Sequence, residues 1–442
     1  MQQYDAMRKL FFISVLALTL ATGANSGSLK FPPVNRNGSN AVDPASAWRV
    51  AARVKPQIDG QNIYSFKYLP DGKSLLISTT DFYLFRVNAA DGVQLWKQPA
   101  KMMYQKEFDG PEIFDVSPDG RTFASNAQTR PDVQASERYL VIRSCADGSV
   151  VKAFAPENST FYSVRADKDH RFPGAAAAKE HLESGGAYWL MSIDSARFIE
   201  GGRRIVASYK NNMEGPNLYD RRLVIYEVSG KKSADVQIVA DPQTANWDQP
   251  AGFEIGHMQL PYAYNPRKKS LIFGTAHGRV HEIEPAAMAQ NQRTALAEAK
   301  SAGTVVFTPL SSSDDMQTKD RQTSRHLAIS GDGQTVFLSA GFEGGYVQLY
   351  AFGLATRREI FHSTLFDAGS IQVIGNDTLA VGGMFSGAKF LIANIRGGKL
   401  LFVSEDHSAE YIHPAIFAVN PAAREVAGLG SGSTILLLRP PA

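Results

Sequence analysis

A short phrase recurs along the chain: a β-rich run, a turn of the Pro-Asp-Gly type, and a second β-rich run. Tyr68-Leu69-Pro70-Asp71-Gly72-Lys73 precedes Ser74-Leu75-Leu76-Ile77-Ser78, and Val116-Ser117-Pro118-Asp119-Gly120-Arg121 precedes Thr122-Phe123-Ala124-Ser125. Looser copies follow at Tyr264–Lys269, Ile329–Gln334 and Val419–Arg424. Proline presets the turn, aspartate bonds its own backbone and glycine supplies the left-handed residue. Self-similarity at spacings of tens of residues means stacked or radially repeated units that share one continuous core.

Each copy lays out as four strands, named a to d from the inside outward. In the first, strand a is Ile63 to Tyr68, b is Ser74 to Thr79, c is Phe82 to Val87 and d is Val93 to Lys97. A four-stranded unit of roughly 40 to 50 residues is the blade of a β-propeller. Six such units can be traced, and a seventh offers only Ala415 to Val419, Glu425 to Leu429 and Ser433 to Leu438. Trp48 to Val54 is a β-like segment with no partner of its own. The expected fold is therefore all-β, a seven-bladed propeller closed by an N-terminal strand that completes the last blade and leaves no open sheet edge. Aromatic residues at 10% of the chain, with 25 Phe and 16 Tyr, agree with a strand-rich fold.

The typical pieces, Ser117-Pro118-Asp119-Gly120-Arg121 and Asn88-Ala89-Ala90-Asp91-Gly92-Val93-Gln94-Leu95-Trp96, resemble those of bacterial exported propellers of the WD-repeat and quinoprotein-like group. The resemblance covers residues 47 to 439. The Trp-Asp ending and Gly-His start of the eukaryotic repeats are absent, which marks a divergent relative. The resemblance implies a propeller and is silent on function. A quinone cofactor is suggested by the likeness alone, with no residue constellation to hold one.

Arg8 and Lys9, the apolar run Leu10 to Ala21 and small residues at Thr22-Gly23-Ala24 describe a secretory signal peptide. The expected organisation is a signal peptide over 1–24, a flexible lead-in over 25–46 and the propeller over 47–442. The expected location is the periplasm or the exterior, with no membrane span. Forty-six basic against 43 acidic residues give a formal charge of +3, too little for a nucleic-acid binder. A lone cysteine, Cys145, excludes an internal disulfide and a covalently attached haem, and reads as a small half-buried strand residue.

Long connections fall in the b–c positions (127–137 and 210–221) and the d–a positions (98–112, 155–188, 240–257 and 309–325). In a propeller, all of these open onto one face. The exception is 285–300, an Ala-rich segment that reads as a helix on the other face. Loops held by a rigid frame carry recognition, and Tyr104, Arg130, Tyr219, Trp247, Phe342 and Tyr411 are the aromatic and arginine anchors they offer. His257, His326 and His413 each precede or open a strand a and approach the axis, where three imidazoles would suit zinc or copper. None of them has the short spacing that would argue for a metal alone, so no cofactor is expected. Glu112, Asp81 and Glu343 are carboxylates for an axial site, and Gly428 to Thr434 reads as a hairpin turn rather than a nucleophile elbow. The reading is a monomeric, non-enzymatic scaffold for a protein or peptide partner; the alternative is an exported hydrolase or lactonase with an axial metal or carboxylate site.

Overall fold

A computed structural model of the chain describes residues 42, 46–100, 111–128, 138–154, 157–158, 190–211, 221–230, 232–238, 261–274, 280–284, 304–307, 323–341, 347–363, 368–383, 389–404 and 410–441. Its strands form seven antiparallel sheets, six of them meanders of consecutive strands and the seventh joining the first strand of the chain to the last three. Blade 1 is Ile63–Tyr68, Ser74–Thr79, Tyr83–Asn88 and Gln94–Pro99. Blade 2 is Ile113–Val116, Thr122–Gln128, Arg138–Ser144 and Val150–Ala153. Blade 3 runs Leu190–Ile199, Arg204–Asn211, Arg221–Glu227 and Lys232–Ile238, with Glu157–Asn158 added as a fifth strand on its inner edge. Blade 4 is Tyr262–Asn265, Ser270–Gly274, Val280–Ile283 and Thr304–Phe307. Blade 5 is Thr323–Ile329, Thr335–Gly341, Val347–Gly353 and Arg358–Ser363. Blade 6 is Ala368–Ile374, Thr378–Gly383, Phe390–Asn394 and Lys399–Val403. Blade 7 takes Phe417–Asn420, Glu425–Leu429 and Ile435–Arg439 from the end of the chain and Arg49–Val54 from its beginning.

The segment beginning at Trp48 thus closes the ring, as its unpartnered β pattern requires. Arg49 pairs with Arg439 and Val54 with Ile435. The segment also ties the seventh blade to the sixth. Trp48 is buried against Phe390, Ile392 and Leu401, and its N–H donates to the Leu401 carbonyl at 2.7 Å.

The core is divided into seven wedges, one at each junction between neighbouring blades. Blades 1 and 2 meet through Leu76, Leu84 and Phe123, blades 3 and 4 through Val206, Leu223 and Phe273, and blades 7 and 1 through Phe66, Phe85 and Leu437. Near-continuous apolar b and c strands follow from this: a radial sheet is buried on both faces, so strands such as Ser74–Thr79 are buried at every residue. All seven c–d ladders carry a register shift, and five of the seven a–b ladders carry one as well. Bulges sharpen the right-handed twist, which lets adjacent flat sheets become nested propeller blades.

The recurring turns behave as their chemistry dictates. Gly72, Gly120 and Gly333 take φ of 68°, 69° and 67°, and each donates its N–H to the residue three before it. Asp119 accepts from the Ser117 hydroxyl at 2.6 Å and the Arg121 N–H at 3.0 Å, which holds its carboxyl below the usual range. Ser330 and Asp332 repeat the arrangement. Trp96 stitches blade 1 to blade 2, its indole N–H donating to the Cys145 carbonyl at 3.0 Å over the ring of Phe123. Cys145 itself lies in a c–d turn and is fully buried, more deeply than its position at a strand end suggested; burial pushes its thiol up to about 12. The segment 285–300, expected to be a helix, and residues 1–41, expected to hold a signal peptide and most of a flexible lead-in, lie outside the described residues.

Candidate functional site

The strand order fixes which connections share an end of the channel. The a–b connections are short throughout, for example 69–73, 117–121, 375–377 and 421–424. The opposite end receives the b–c connections 129–137 and 212–220 and the d–a connections 100–112, 159–189, 239–261 and 308–322. Of the proposed anchors, Tyr104, Arg130, Tyr219, Trp247 and Phe342 lie outside the described residues. Tyr411 is described, half-buried in the connection that enters blade 7 at this same end.

The histidines do not behave alike. His257 lies outside the described residues. His413 is exposed at the entry to blade 7, its Nδ1 accepting from the Ala415 N–H at 3.3 Å. His326 lies within the innermost strand of blade 5. Among the described residues, no group of three or more His, Cys, Asp or Glu side chains could hold a metal ion. Asp81 is exposed in a tight turn, Glu112 is half-buried at the start of blade 2, and Glu343 lies outside the described residues. His281 is buried in blade 4 and stacks on Phe273, with ring centroids 5.4 Å apart. Gly430 to Thr434 form a b–c hairpin around a single 3-10 turn, as read from the sequence.

The register reveals a ring that sequence reading missed. In every blade, one residue of strand a pairs with the third residue of strand b. These residues are Lys67, Asp115, Arg197, Ala263, Ala328, Gln372 and Ala418. Apart from the short Glu157–Asn158 pairing at the start of blade 3's strand a, the inner edge of each strand a has no further strand to bond, so its N–H groups need other partners. Two members of the ring supply them in the same way. An Asp115 carboxylate oxygen accepts from the Phe198 N–H of blade 3 at 2.8 Å. The Gln372 amide oxygen accepts from the Val419 N–H of blade 7 at 3.0 Å, while its Nε2 donates to the Phe417 carbonyl at 2.9 Å. Both reach along the channel edge to the next blade, which places this register on the lumen.

Lys67 and Arg197 do no such bonding. Neither has a hydrogen-bond or ion-pair partner among the described residues; the Arg197 guanidinium sits 5.8 Å from the centre of the Tyr262 ring. Burial, then the Arg197 charge, holds the Lys67 ammonium below the ordinary lysine value, against Asp115 and Glu112 pulling it up. Burial raises the Asp115 carboxyl, with Arg197, the Phe198 N–H and Lys67 opposing it. His326 is pushed down to about 3, first by burial and then by Arg197 and Lys67. Lys67, Arg197 and His326 come from blades 1, 3 and 5, none adjacent to another. Their charges act on one another because all three face the same lumen. The half-exposure that Lys67 and His326 retain fits residues lining a channel rather than packed inside a wedge.

A second polar cluster lies at the closing seam. Glu425 of blade 7 is buried, and its oxygens accept from the Tyr68 hydroxyl of blade 1 at 2.8 Å, Asn420 Nδ2 at 3.1 Å and Arg439 Nε at 2.6 Å. Asn420 Nδ2 also reaches the Gly72 carbonyl of blade 1, at 3.5 Å, and a β-carbon added at Gly72 would sit 2.4 Å from the Asn420 side chain. Asn265 of blade 4 makes the equivalent bond to the Gly333 carbonyl of blade 5 at 3.0 Å. The Asn-Pro copies of the repeat are thus clasps between blades.

No protein-family model and no curated protein matches the sequence. Among solved structures, the chain is similar to the β-propeller domain of Cps50 (Swd1) from Myceliophteria thermophila, with a TM-score of 0.51 and 11% identity over 88% of this chain and 99% of that one. At that identity, what the two have in common is the fold, and in fold this chain is a WD-repeat-like seven-bladed β-propeller.

Proposed function

We propose that the protein is an exported binding scaffold, working in the periplasm or outside the cell, that recognises a protein or peptide through the face bearing its long connections. The observation that carries this reading is topological. The connections 100–112, 159–189, 212–220, 239–261 and 308–322 all belong to one end of the channel, while the turns of the other end are a few residues long except at 284–303. Surface insertions cost little stability wherever they fall, so their segregation to one face reflects use of that face. The rigid, wedge-packed ring would hold such loops at a reduced ordering cost on binding. Tyr104, Arg130, Tyr219, Trp247, Phe342 and Tyr411 are the anchors this proposal assigns to the face.

The test is affinity capture from a cell-envelope extract, with matched deletions. Replacing 212–220 or 239–261 by a short Gly-Ser turn should abolish capture of a defined partner without lowering the melting temperature. Removing 285–300 from the other face should leave capture intact. Capture that survives every deletion on the long-connection face would overturn the assignment.

A further inference from the structure

The channel ring asks a question that loop recognition does not answer. A buried cation without a partner is costly, and proteins rarely keep one that neither pairs nor performs a task. Here two cations meet in one lumen: Lys67, half-buried, and Arg197, exposed to the channel. Asp115, the acidic member of the ring, is already engaged by the Phe198 N–H. Gln372 is engaged by blade 7 through both ends of its amide. The other three ring positions, Ala263, Ala328 and Ala418, supply no polar side chain. Lys67 and Arg197 are left without a hydrogen-bond acceptor among the described residues. Opposite them, His326 has a buried Nδ1 with no hydrogen-bond partner.

We infer that the lumen at this ring is a binding site for a small oxyanion, held between the Lys67 ammonium and the Arg197 guanidinium, with the His326 imidazole as a neutral hydrogen-bonding partner. The chemistry of each group fits. The guanidinium fork bonds two oxygens of a carboxylate or phosphate at once, and the ammonium adds a point charge. An imidazole held neutral keeps one donor nitrogen and adds no competing ion pair; its depressed pKa agrees with that state. Bound charge would relieve the desolvation that Lys67 carries. The site stands apart from the long-connection face and does not depend on the reading given above.

The experiment titrates inorganic phosphate and acetate, separately, into the purified full chain at pH 7, with chloride holding ionic strength constant. At least one of the two should bind saturably at one site and raise the melting temperature; phosphate binding more tightly selects a dianion, acetate a carboxylate. Lys67→Met should melt no lower than the parent, because it removes an unpartnered buried charge, and should weaken the bound anion at least about tenfold. Arg197→Lys keeps the charge, loses the fork and should also weaken it, less severely than Arg197→Gln. Should Arg197→Gln fail to fold, Lys67→Met and Arg197→Lys decide the matter. Absence of saturable binding by both anions, or unchanged affinity in Lys67→Met, overturns the site.

Discussion

Tyr68 and Lys67 are neighbours on one strand, yet they belong to opposite kinds of polar cluster. Tyr68 points into the seam with blade 7, where the Glu425 carboxylate receives a hydroxyl, an amide and a guanidinium. Lys67 points into the lumen, where it and Arg197 receive nothing comparable from the described residues. The two clusters differ: Tyr68, Asn420 and Glu425 are buried in the seam, whereas at the channel Lys67 is half-buried and Arg197 exposed. One is internally complete, the mark of a structural joint, and the other is incomplete, the mark of a place kept for something else. The tally of partners separates the two roles.

That contrast can be broken at the seam first. A chain lacking 46–54 loses the outer strand of blade 7 and the Trp48 anchor between blades 6 and 7. It should fail to give a cooperative melt and should elute as aggregates, because the Ile435–Arg439 edge is left open. A monomeric, cooperatively melting product would show that the seam is dispensable. Glu425→Ala should come next, at about 3 kcal/mol, since it leaves the buried Tyr68 hydroxyl and Asn420 amide without their acceptor, while the more exposed Arg439 rehydrates. Chemical denaturation of the variant measures this, and a cost below about 1 kcal/mol would mean that water replaces the carboxylate without loss.

The smallest effect is expected from the lumen, and it depends on pH. The folded state disfavours protonated His326, so its contribution is present above the unfolded value of 6.5 and is lost as pH falls toward the folded value of about 3. Between pH 6.5 and 4 the parent should lose about 2 kcal/mol more stability than His326→Asn, allowing for the hydration that a channel retains. Equal slopes for the two proteins would remove His326 from the lumen cluster.

The seam was legible in the sequence because its signals are local and unpaired. The last blade has three strands, and Trp48 to Val54 has β character with nothing beside it. The Asn-Pro copies at Asn265 and Asn420 were visible as turns; their reach into the next blade was not, since it depends on the φ of 67° at Gly333 and 68° at Gly72 bringing two blades together. The ring was hidden for a different reason. In blade 3, Asp194-Ser195-Ala196-Arg197 has the polarity of a turn, which would end the inner strand at Ile193. The strand instead passes a bulge between Ile193 and Ser195 and continues to Ile199. That bulge keeps Arg197 in register with Lys67, and no alternation pattern counted along the chain passes correctly through it. His326 was read as approaching the axis, and the innermost strand of blade 5 does carry it. Its companions proved to be two cations.

The pairing of Arg49 with Arg439 also sets an order in time. A ribosome delivers the first of these strands hundreds of residues before its partner, so for most of synthesis that ribbon has nothing to dock against. Six sheets can mature while the seventh waits, and the circle locks only when the final segment arrives. Any factor that shields the early ribbon during this interval, or any stall that prolongs it, would act on assembly yield without altering a single contact of the finished molecule.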